Sequence, residues 1–476
     1  MKASISRQSV SAVVVLCMLV ASTAILFSPL IAGGTVYQSP ATHFDGNETM
    51  ANLGKSVAIL DLNGDNLGDL VVGIPYASAY ELKDSGAVRI YLSSGGVAMA
   101  NLIVINGTHT EDLFGWCVAN VSDLNGDGWD DLAIGAPSAD PGSLVDAGNV
   151  SVYFGWPGFN GTANITINGE TAGEWFGYSI ASAGDIMVDG MDDMVVGSPF
   201  YGSGTAAGTG RVNIFYGGDL MNTVSDRVLT GSASGSHFGW AVAGGVNIDQ
   251  DTTVDMVVGA PDMGTAGAAY VYRNLDRANP TVNEINGKAS GDGFGSAVAM
   301  MTDLNVDTFG EVVIGAPYNN DNGTDAGSAA IYLGGSKFNT AVDITLVGSP
   351  NEWFGLSIAS GAIRQDGYSD LLVGAPYSTL NASTTGRAYA YFGGSSWTGP
   401  NLTLVPDAGA NFFGGSVAVG HNLTGDSASD FAVGDPLFYP PGLPNAGRVY
   451  VYAGERPAVI PIPQNPVVSG HVYVPG

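Results

Sequence analysis

The amino-acid sequence predicts an all-β protein, a seven-bladed β-propeller of four-stranded antiparallel blades. A Phe-Gly pair recurs at intervals of 56 to 62 residues, at Phe114, Phe176, Phe238, Phe294, Phe354 and Phe413, with Leu53-Gly54 as a degenerate first copy. Each copy contains four short segments with the alternation of half-buried strands, and no helical period interrupts them. Internal repeats of this kind, each able to form one antiparallel sheet, are typical of propeller blades.

The two ends of the repeat region predict how the ring closes. The segment 44–58, FDGNETMANLGKSVA, aligns without a gap with INGETAGEWFGYSIA at 167–181. Residues 41–46 therefore correspond to the fourth strand of a blade, whereas the last repeat, which ends near Ala453, has only three strands. We expect the N-terminal strand to complete blade seven, because this removes exposed sheet edges. The predicted propeller spans residues 41–453.

Two short motifs frame the first hairpin of each repeat, and both have a structural interpretation. We expect the Phe of Phe-Gly to wedge between neighbouring blades, and the Gly to allow close backbone approach or a positive φ. The Pro of Gly-Ala-Pro, or of its close variants, ends a strand at a position that needs no ladder donor.

Composition limits the classes of partner. The 476 residues carry 44 acidic and 15 basic side chains, a formal charge of −29. This balance argues against nucleic acid as a partner, because phosphate binding depends on Lys and Arg, and it suits a protein that collects cations. Cys17 and Cys117 are the two cysteines, and Cys17 lies in the N-terminal apolar run. Stability is therefore expected from core burial, and from metal, rather than from disulfides.

The chain ends are predicted to lie outside the propeller. Residues 1–34 combine Lys2 and Arg7 with a long apolar run, which indicates an export signal. Cleavage as a signal peptide and retention as a membrane anchor both remain open. Ten Asn-x-Ser/Thr sequons follow it, so a glycoprotein is expected. Residues 454–476 are predicted to be a Pro-rich linker or tail.

The loop between the first and second strands of a repeat carries oxygen-bearing side chains on alternate residues. Hard cations such as Ca²⁺ are bound by six to eight oxygens at about 2.3–2.6 Å. Four loops offer side-chain oxygens at positions 1, 3, 5 and 9 and a backbone carbonyl at position 7. The predicted metal ligands are Asp61, Asn63, Asp65, Leu67 and Asp69 in loop one; Asp123, Asn125, Asp127, Trp129 and Asp131 in loop two; Asn247, Asp249, Asp251, Thr253 and Asp255 in loop four; and Asp303, Asn305, Asp307, Phe309 and Glu311 in loop five.

The other three loops are degraded to different degrees. Met187 replaces a ligand in loop three, and loop seven retains only two carboxylates, so both are expected to bind weakly. Loop six has lost its first ligands and is expected to be empty. The alternative is an Asp/Asn/Gly turn without an ion. Three carboxylates within nine residues, repeated in several loops, would repel one another without a cation and favour metal.

Together the Phe-Gly pairs, the Asp-x-Asn-x-Asp-x-x-x-Asp loops and the Gly-Ala-Pro motifs resemble the FG-GAP repeats of integrin α-subunit β-propellers over about residues 41–453. The resemblance implies Ca²⁺ in hairpin loops on one face of a seven-bladed propeller and partner recognition on the other. Two departures limit it. Metal loops occur in the early blades as well as the later ones, and the leg domains and transmembrane helix of integrin α subunits do not follow. Pairing with a β subunit is therefore not expected.

The predicted function is that of an exported recognition or adhesion module, secreted or at the cell surface, which binds a protein or glycan. Trp175, Trp353 and His237 lie in segments expected on the face opposite the loops, where they either contact a partner or pack between blades. A surface-layer or scaffold component is an alternative. A polysaccharide-active enzyme is a weaker one, because no catalytic carboxylate pair, Ser-His-Asp set or zinc motif was found. The prediction is no enzyme and no catalytic residues.

Overall fold

The computed structural model describes residues 36–93, 101–218, 221–381, 384–394, 399–426 and 428–454. The predicted leader, 1–34, and all but the first residue of the predicted tail, 454–476, lie outside the described residues. The propeller lies within the compact unit Tyr37–Gly476. Within the described residues, no helix is long and apolar enough to cross a membrane.

The described residues form 29 strands and two single-turn 3-10 helices. After the short β1 (Val36–Gln38) and β2 (Thr42–Asp45), the strands follow in blade order. They are β3 (Val57–Leu60), β4 (Asp69–Ile74), β5 (Ala87–Leu92) and β6 (Asn101–Asn106); β7 (Cys117–Asn120), β8 (Leu132–Ala136), β9 (Asn149–Tyr153) and β10 (Ile165–Asn168); β11 (Ser179–Gly184), β12 (Asp193–Ser198), β13 (Arg211–Phe215) and β14 (Arg227–Thr230).

Blades four to seven continue with β15 (Val242–Val246), β16 (Asp255–Ala260), β17 (Ala268–Arg273) and β18 (Thr281–Asn286); β19 (Ala297–Met301), β20 (Glu311–Ala316), β21 (Ser328–Tyr332) and β22 (Ile344–Val347); β23 (Ser357–Gly361), β24 (Asp370–Asn381), β25 (Thr384–Tyr391) and β26 (Leu402–Leu404); and β27 (Ser416–Gly420), β28 (Asp430–Asp435) and β29 (Arg448–Tyr452). The 3-10 helices are Ala79–Glu81 and Gly204–Ala206. The prediction of seven four-stranded antiparallel blades is confirmed, and the short β1 pairs with β26 as a fifth strand at the edge of blade six.

The predicted ring closure is confirmed as well. The seventh sheet has the order β2-β29-β28-β27, so the N-terminal strand supplies the fourth strand of blade seven. The pairing runs antiparallel from Thr42 opposite Val451 to Asp45 opposite Arg448. Arg448 reinforces this junction, because its Nη2 donates to Asp45 Oδ2 at 2.9 Å.

The hydrophobic core is divided into seven clusters, each between two consecutive blades. The cluster that joins the ends of the ring contains Val57 and Val72 of blade one and Val449 and Val451 of blade seven. The first strands of the blades are innermost, and those of blades one, two, six and seven line a cavity of about 410 Å³. Stability therefore depends on contacts between sheets, as expected for a repeat structure.

The structure explains the Phe-Gly pairs in the way that the sequence predicts. Phe114, for example, is buried between blades and forms a parallel bridge with Gly86 of the preceding blade. Each of the remaining repeats has an equivalent bridge. Gly115 has φ +87°, and a Cβ there would lie 2.6 Å from the Ala87 carbonyl oxygen. The Gly of Gly-Ala-Pro is required too, since a Cβ on Gly135 would lie 2.1 Å from the Gly177 oxygen of the next blade.

Candidate metal centres and an opposite aromatic rim

The antiparallel up-and-down order places all loops between first and second strands at one edge of the ring. Each predicted ligand set lies within one such loop, for example between β3 and β4 or between β7 and β8. The first strand ends just before position 1, and the second strand begins at or next to position 9. The two strands of each hairpin therefore fix the ends of its loop.

Loops one, two and five share one pattern of internal hydrogen bonds. In loop two, Asp123 Oδ1 accepts the Gly126 N–H at 2.7 Å, and Asp123 Oδ2 accepts the Gly128 N–H at 2.7 Å. Asn125 Oδ1 accepts the Asp127 N–H at 2.9 Å. Loop one and loop five repeat these bonds at the same positions. The backbone of each loop is therefore wrapped around its own side-chain oxygens.

The carboxylate at position 9 lies deeper than the other predicted ligands and is held by backbone donors. Asp131 is fully buried. Its Oδ2 accepts the Leu124 N–H and its Oδ1 accepts the Gly155 N–H, both at 2.9 Å. Burial raises the pKa of Asp131 to about 7, although these two N–H groups oppose the rise. Position 9 thus joins the loop to the end of the third strand.

All seven loops retain an acid at position 9, including those that have lost other ligands. These acids are Asp69, Asp131, Asp193, Asp255, Glu311, Asp370 and Asp430, and each accepts the backbone N–H of the residue at loop position 2 or its equivalent. The interpretation of position 9 from sequence as a metal ligand alone missed this structural role. Retention of the acid in the degraded loops was the available signal.

Loops four and five differ from the other loops at position 9, because one oxygen of the carboxylate there accepts no hydrogen bond from the described residues. Asp255 Oδ1 and Glu311 Oε1 are buried and have no hydrogen-bond partner among the described residues. Burial raises the pKa of Asp255 to about 8 and that of Glu311 to about 9. A buried carboxylate oxygen without a partner is unfavourable. A cation beside it would remove that cost.

The oxygen donors of loops one, two and five fit a hard divalent cation. Among the described residues, however, no group of three or more His, Cys, Asp or Glu side chains is arranged to hold a metal ion. The carboxylates of these loops instead accept N–H groups of their own backbone. Binding a cation would therefore require some carboxylate oxygens to turn from the backbone toward the ion.

In loop four an arginine already neutralises one of the predicted ligands. Arg273, at the end of β17, donates from Nη1 to Asp249 Oδ2 at 2.6 Å, and the two side chains are 14% and 8% exposed. The same guanidinium donates to Asn283 Oδ1. Loop four thus has the ligand pattern of a cation site together with a positive charge supplied by the chain.

Loop six contains a second arginine of this kind. Arg364 forms an ion pair with Asp366, and its guanidinium lies 4.4 Å from the centre of the Phe392 ring. The sequence predicts that loop six binds no metal ion. The Arg364 guanidinium, which is already paired with Asp366, gives a physical reason for this prediction. In loop three, Asp185 and Asp189 keep the backbone contacts of the intact loops, while Met187 is exposed.

The opposite edge of the ring carries partly exposed aromatic side chains, which we call the aromatic rim. One arc of this rim consists of Trp116, Trp175, Tyr178, Phe200, His237 and Trp240, with ring centres 4.8 to 6.4 Å apart. A second arc consists of Tyr318, Trp353, Tyr377 and Phe412. Of the residues predicted for recognition, Trp175 and His237 lie in the first arc and Trp353 in the second. His237 Nδ1 also contacts Asp262 Oδ2 at 2.6 Å.

Comparison with known protein families agrees with this architecture. The FG-GAP repeat pattern matches residues 53–91, 114–153 and 413–452, and a second FG-GAP pattern matches 286–332. The chain contains FG-GAP repeats. It resembles the N-terminal β-propeller of integrin α subunits, as the sequence motifs predict.

The relatives that are similar to this chain in sequence fall into two groups by name, integrin alpha subunits and a phospholipase D. Integrin alpha-V of Gallus gallus is 32% identical over 243 residues, which is 49% of this chain and 22% of the integrin. Integrin alpha-6 of Gallus gallus is 37% identical over 150 residues, 31% of this chain and 13% of the integrin. Phosphatidylinositol-glycan-specific phospholipase D of Homo sapiens is 26% identical over 411 residues, 74% of this chain and 47% of the phospholipase.

The alignments therefore span about a fifth of integrin alpha-V and about half of the phospholipase. One group of relatives is named for integrin subunits and the other for an enzyme activity. Similarity to both groups does not by itself decide between binding and catalysis.

Proposed function

We propose that this FG-GAP propeller is an exported, calcium-stabilised recognition or adhesion module that binds a protein or glycan partner. The observation that carries the proposal is the division of the molecule into two edges. Acidic, oxygen-rich loops occupy one edge, and partly exposed aromatic rings occupy the other. Large aromatic side chains are enriched where proteins bind partners.

In this proposal Ca²⁺ is structural. Loops one, two and five bind it through Asp, Asn and Glu oxygens together with the position 7 carbonyls. Loop four binds it more weakly, because Arg273 already compensates Asp249. The ion supplies positive charge that holds the carboxylates of a hairpin together. Extracellular modules bind Ca²⁺ at about 10⁻⁴–10⁻³ M, which suits an exported protein.

The aromatic rim is the proposed contact surface. The rings of each arc pack against one another in tilted and edge-to-face arrangements but remain partly exposed, so they are both rigid and accessible. Rigid aromatic groups contribute contact area at a low cost in conformational entropy. Relatives named as integrin subunits and as a phosphatidylinositol-glycan-specific enzyme are compatible with partners at an outer cell surface.

The test combines capture of cell-surface proteins with a glycan array, using the calcium-loaded protein. We expect Trp353→Ala to weaken binding by at least about tenfold, which corresponds to about 1.4 kcal/mol. The matched control is Trp156→Ala, since the Trp156 side chain is 47% exposed and its backbone N–H donates to the Leu62 carbonyl oxygen at the opposite, loop-bearing edge. Equal binding by both variants would place recognition elsewhere, and hydrolysis of an array glycan would favour an enzyme.

A further inference from the structure

The residue that follows Phe-Gly contributes to the aromatic rim in three consecutive blades. It is Trp116 in blade two, Tyr178 in blade three and Trp240 in blade four. In blade one the equivalent residue is Lys55. Its ammonium lies 4.5 Å from the centre of the Trp116 ring. The aromatic rim thus has one cationic member, placed by the same repeat position as its neighbours.

Lys55 differs from the other basic side chains that the structure describes. Arg211, Arg273, Arg364 and Arg448 pair with carboxylates, and Arg227 donates to backbone carbonyls. Among the described residues, the Lys55 ammonium forms no ion pair; it lies over the Trp116 ring, and the Cys117 thiol is a further electrostatic neighbour. Lys337 also lacks an ion pair there, but its side chain is exposed to water.

The Lys55 ammonium has N–H donors that contact with one ring does not use. The residue is partly buried, and this burial lowers the pKa of its ammonium. An ammonium has three N–H donors, and contact with one aromatic face is worth only about 0.5–2 kcal/mol. In a chain of charge −29, acidic partners are abundant. None of those that the structure describes pairs with Lys55, so its ammonium is available to an anion from outside the chain.

Tyr178 of the aromatic rim is a neutral phenol that interacts with two other phenols. Burial raises the pKa of the Tyr178 phenol, with smaller contributions from the phenols of Tyr318 in blade five and Tyr76 in blade one. Burial likewise raises the pKa of Tyr76 and of Tyr318. These phenols therefore stay protonated near neutral pH and can donate hydrogen bonds. They come from three blades, and the Tyr178 ring lies 5.5 Å from the Trp116 ring that Lys55 contacts.

We propose that Lys55, together with the rim aromatics Trp116, Trp175 and Tyr178, forms a subsite for a sugar that carries a carboxylate. The carboxylate pairs with the Lys55 ammonium, and the sugar ring packs on the neighbouring aromatic side chains. Aromatic rings favour a sugar over an acidic peptide, because an Asp or Glu side chain would use the cation without needing flat apolar partners. This inference rests on the proposed recognition function and specifies the chemistry of its ligand.

The test compares two oligosaccharides by calorimetry with the full chain at fixed calcium concentration. One alternates glucuronic acid with N-acetylglucosamine, and the other is its carboxyl-reduced, neutral form. We expect the acidic form to bind at least about tenfold more tightly, with Lys55→Gln abolishing that preference and Lys55→Arg retaining it. Lys337→Gln is the matched control and should leave the preference unchanged. Thermal melting checks that each variant folds.

Three results would overturn the proposal: equal binding of the two oligosaccharides, binding of the acidic form unaffected by Lys55→Gln, or no binding of either. A glutamate-rich peptide is the third probe, and competition by it at the same affinity would identify an acidic peptide as the ligand instead. Partner binding that depends on Trp353 but not on Lys55 would overturn the acidic-sugar subsite while leaving the recognition function supported.

Discussion

Arg273 donates to Asp249 Oδ2 at 2.6 Å inside a loop whose ligand pattern equals that of a cation site. In loops one, two and five the predicted acidic ligands have no basic side chain paired to them among the described residues, although His421 pairs with the neighbouring Asp130 of loop two at 3.1 Å. Loop six, which has lost its first ligands, also has an arginine paired with an acid. Loops four and six therefore have an arginine as counter-charge, whereas the predicted ligands of loops one, two and five do not, and this difference leads to the first two predictions.

Removal of calcium should affect the blades unequally. In excess EDTA we expect faster amide hydrogen exchange in the hairpins of loops one, two and five, because their carboxylates then repel one another. The hairpins of loops four and six should change little, since Arg273 and Arg364 remain in place. Exchange resolved by peptide, with and without added calcium, measures this. Identical exchange rates in all hairpins after chelation would contradict a structural role for calcium.

Substitution of Arg273 should make blade four dependent on calcium. In Arg273→Met, Asp249 loses its partner, and loss of one member of a largely buried ion pair costs about 3–5 kcal/mol. We expect added calcium to restore part of this stability, so the calcium-induced rise in melting temperature should exceed that of the unmodified protein. Arg277→Met is the control, because Arg277 lies 3.9 Å from Asp276 in an exposed pair. The same loss with and without calcium would show that Arg273 acts only through packing.

Position 9 should be required even when no metal is present. Asp131→Ala leaves the Leu124 and Gly155 N–H groups without their acceptor, and each buried donor left unpaired costs about 1–3 kcal/mol. The destabilisation should be present in EDTA. Asp127→Asn, at an exposed position of the same loop, should instead alter only the response to calcium. Denaturant unfolding in both conditions separates the two effects, and equal behaviour of the two variants would argue against a structural role for Asp131.

Ring closure should depend on Arg448. Besides Asp45 of β2, this guanidinium contacts Asp407 Oδ2 at 3.0 Å. Its acidic partners are partly exposed, so solvent screening limits the contribution, and we expect Arg448→Ala to reduce stability by about 1–3 kcal/mol. Faster hydrogen exchange in β2 and β29 should accompany the loss. If exchange rises uniformly over all blades instead, the ion pairs do not act at the closure.

Cys117 should be unreactive in the folded protein. Burial raises the pKa of its thiol to about 11, so very little thiolate, the reactive form, is present at pH 8. Because the folded-state pKa lies above the unfolded value, the associated stability is present below about pH 9 and is lost as the pH rises toward 11. Labelling of Cys117 in a Cys17→Ser variant should therefore follow unfolding. Rapid labelling of the native protein at pH 8 would contradict this.

Much of the architecture could be predicted from sequence because it is encoded locally and repeated. The spacing of Phe-Gly pairs sets the number of blades, and the alignment of 44–58 with 167–181 places β2 in blade seven. The structural roles of the Gly residues could be predicted from sequence for the same reason. A positive φ at Gly115 and the close approach of Gly177 to Gly135 recur with the motif. The oxygen pattern of the loops is local too, although the binding of Ca²⁺ stays a prediction.

Contacts between segments distant in sequence follow no such pattern. Asp249 and Arg273 are 24 residues apart, and Lys55 meets Trp116 only because blades one and two lie side by side. The sequence alone determined the blades, their closure and the candidate loops, since each is written in a repeated local motif. Only the tertiary structure decided which charged side chains pair with an opposite charge of the same chain and which do not. A charge is neutralised by whatever the fold brings within a few ångströms, and neighbouring strands and blades supply those groups.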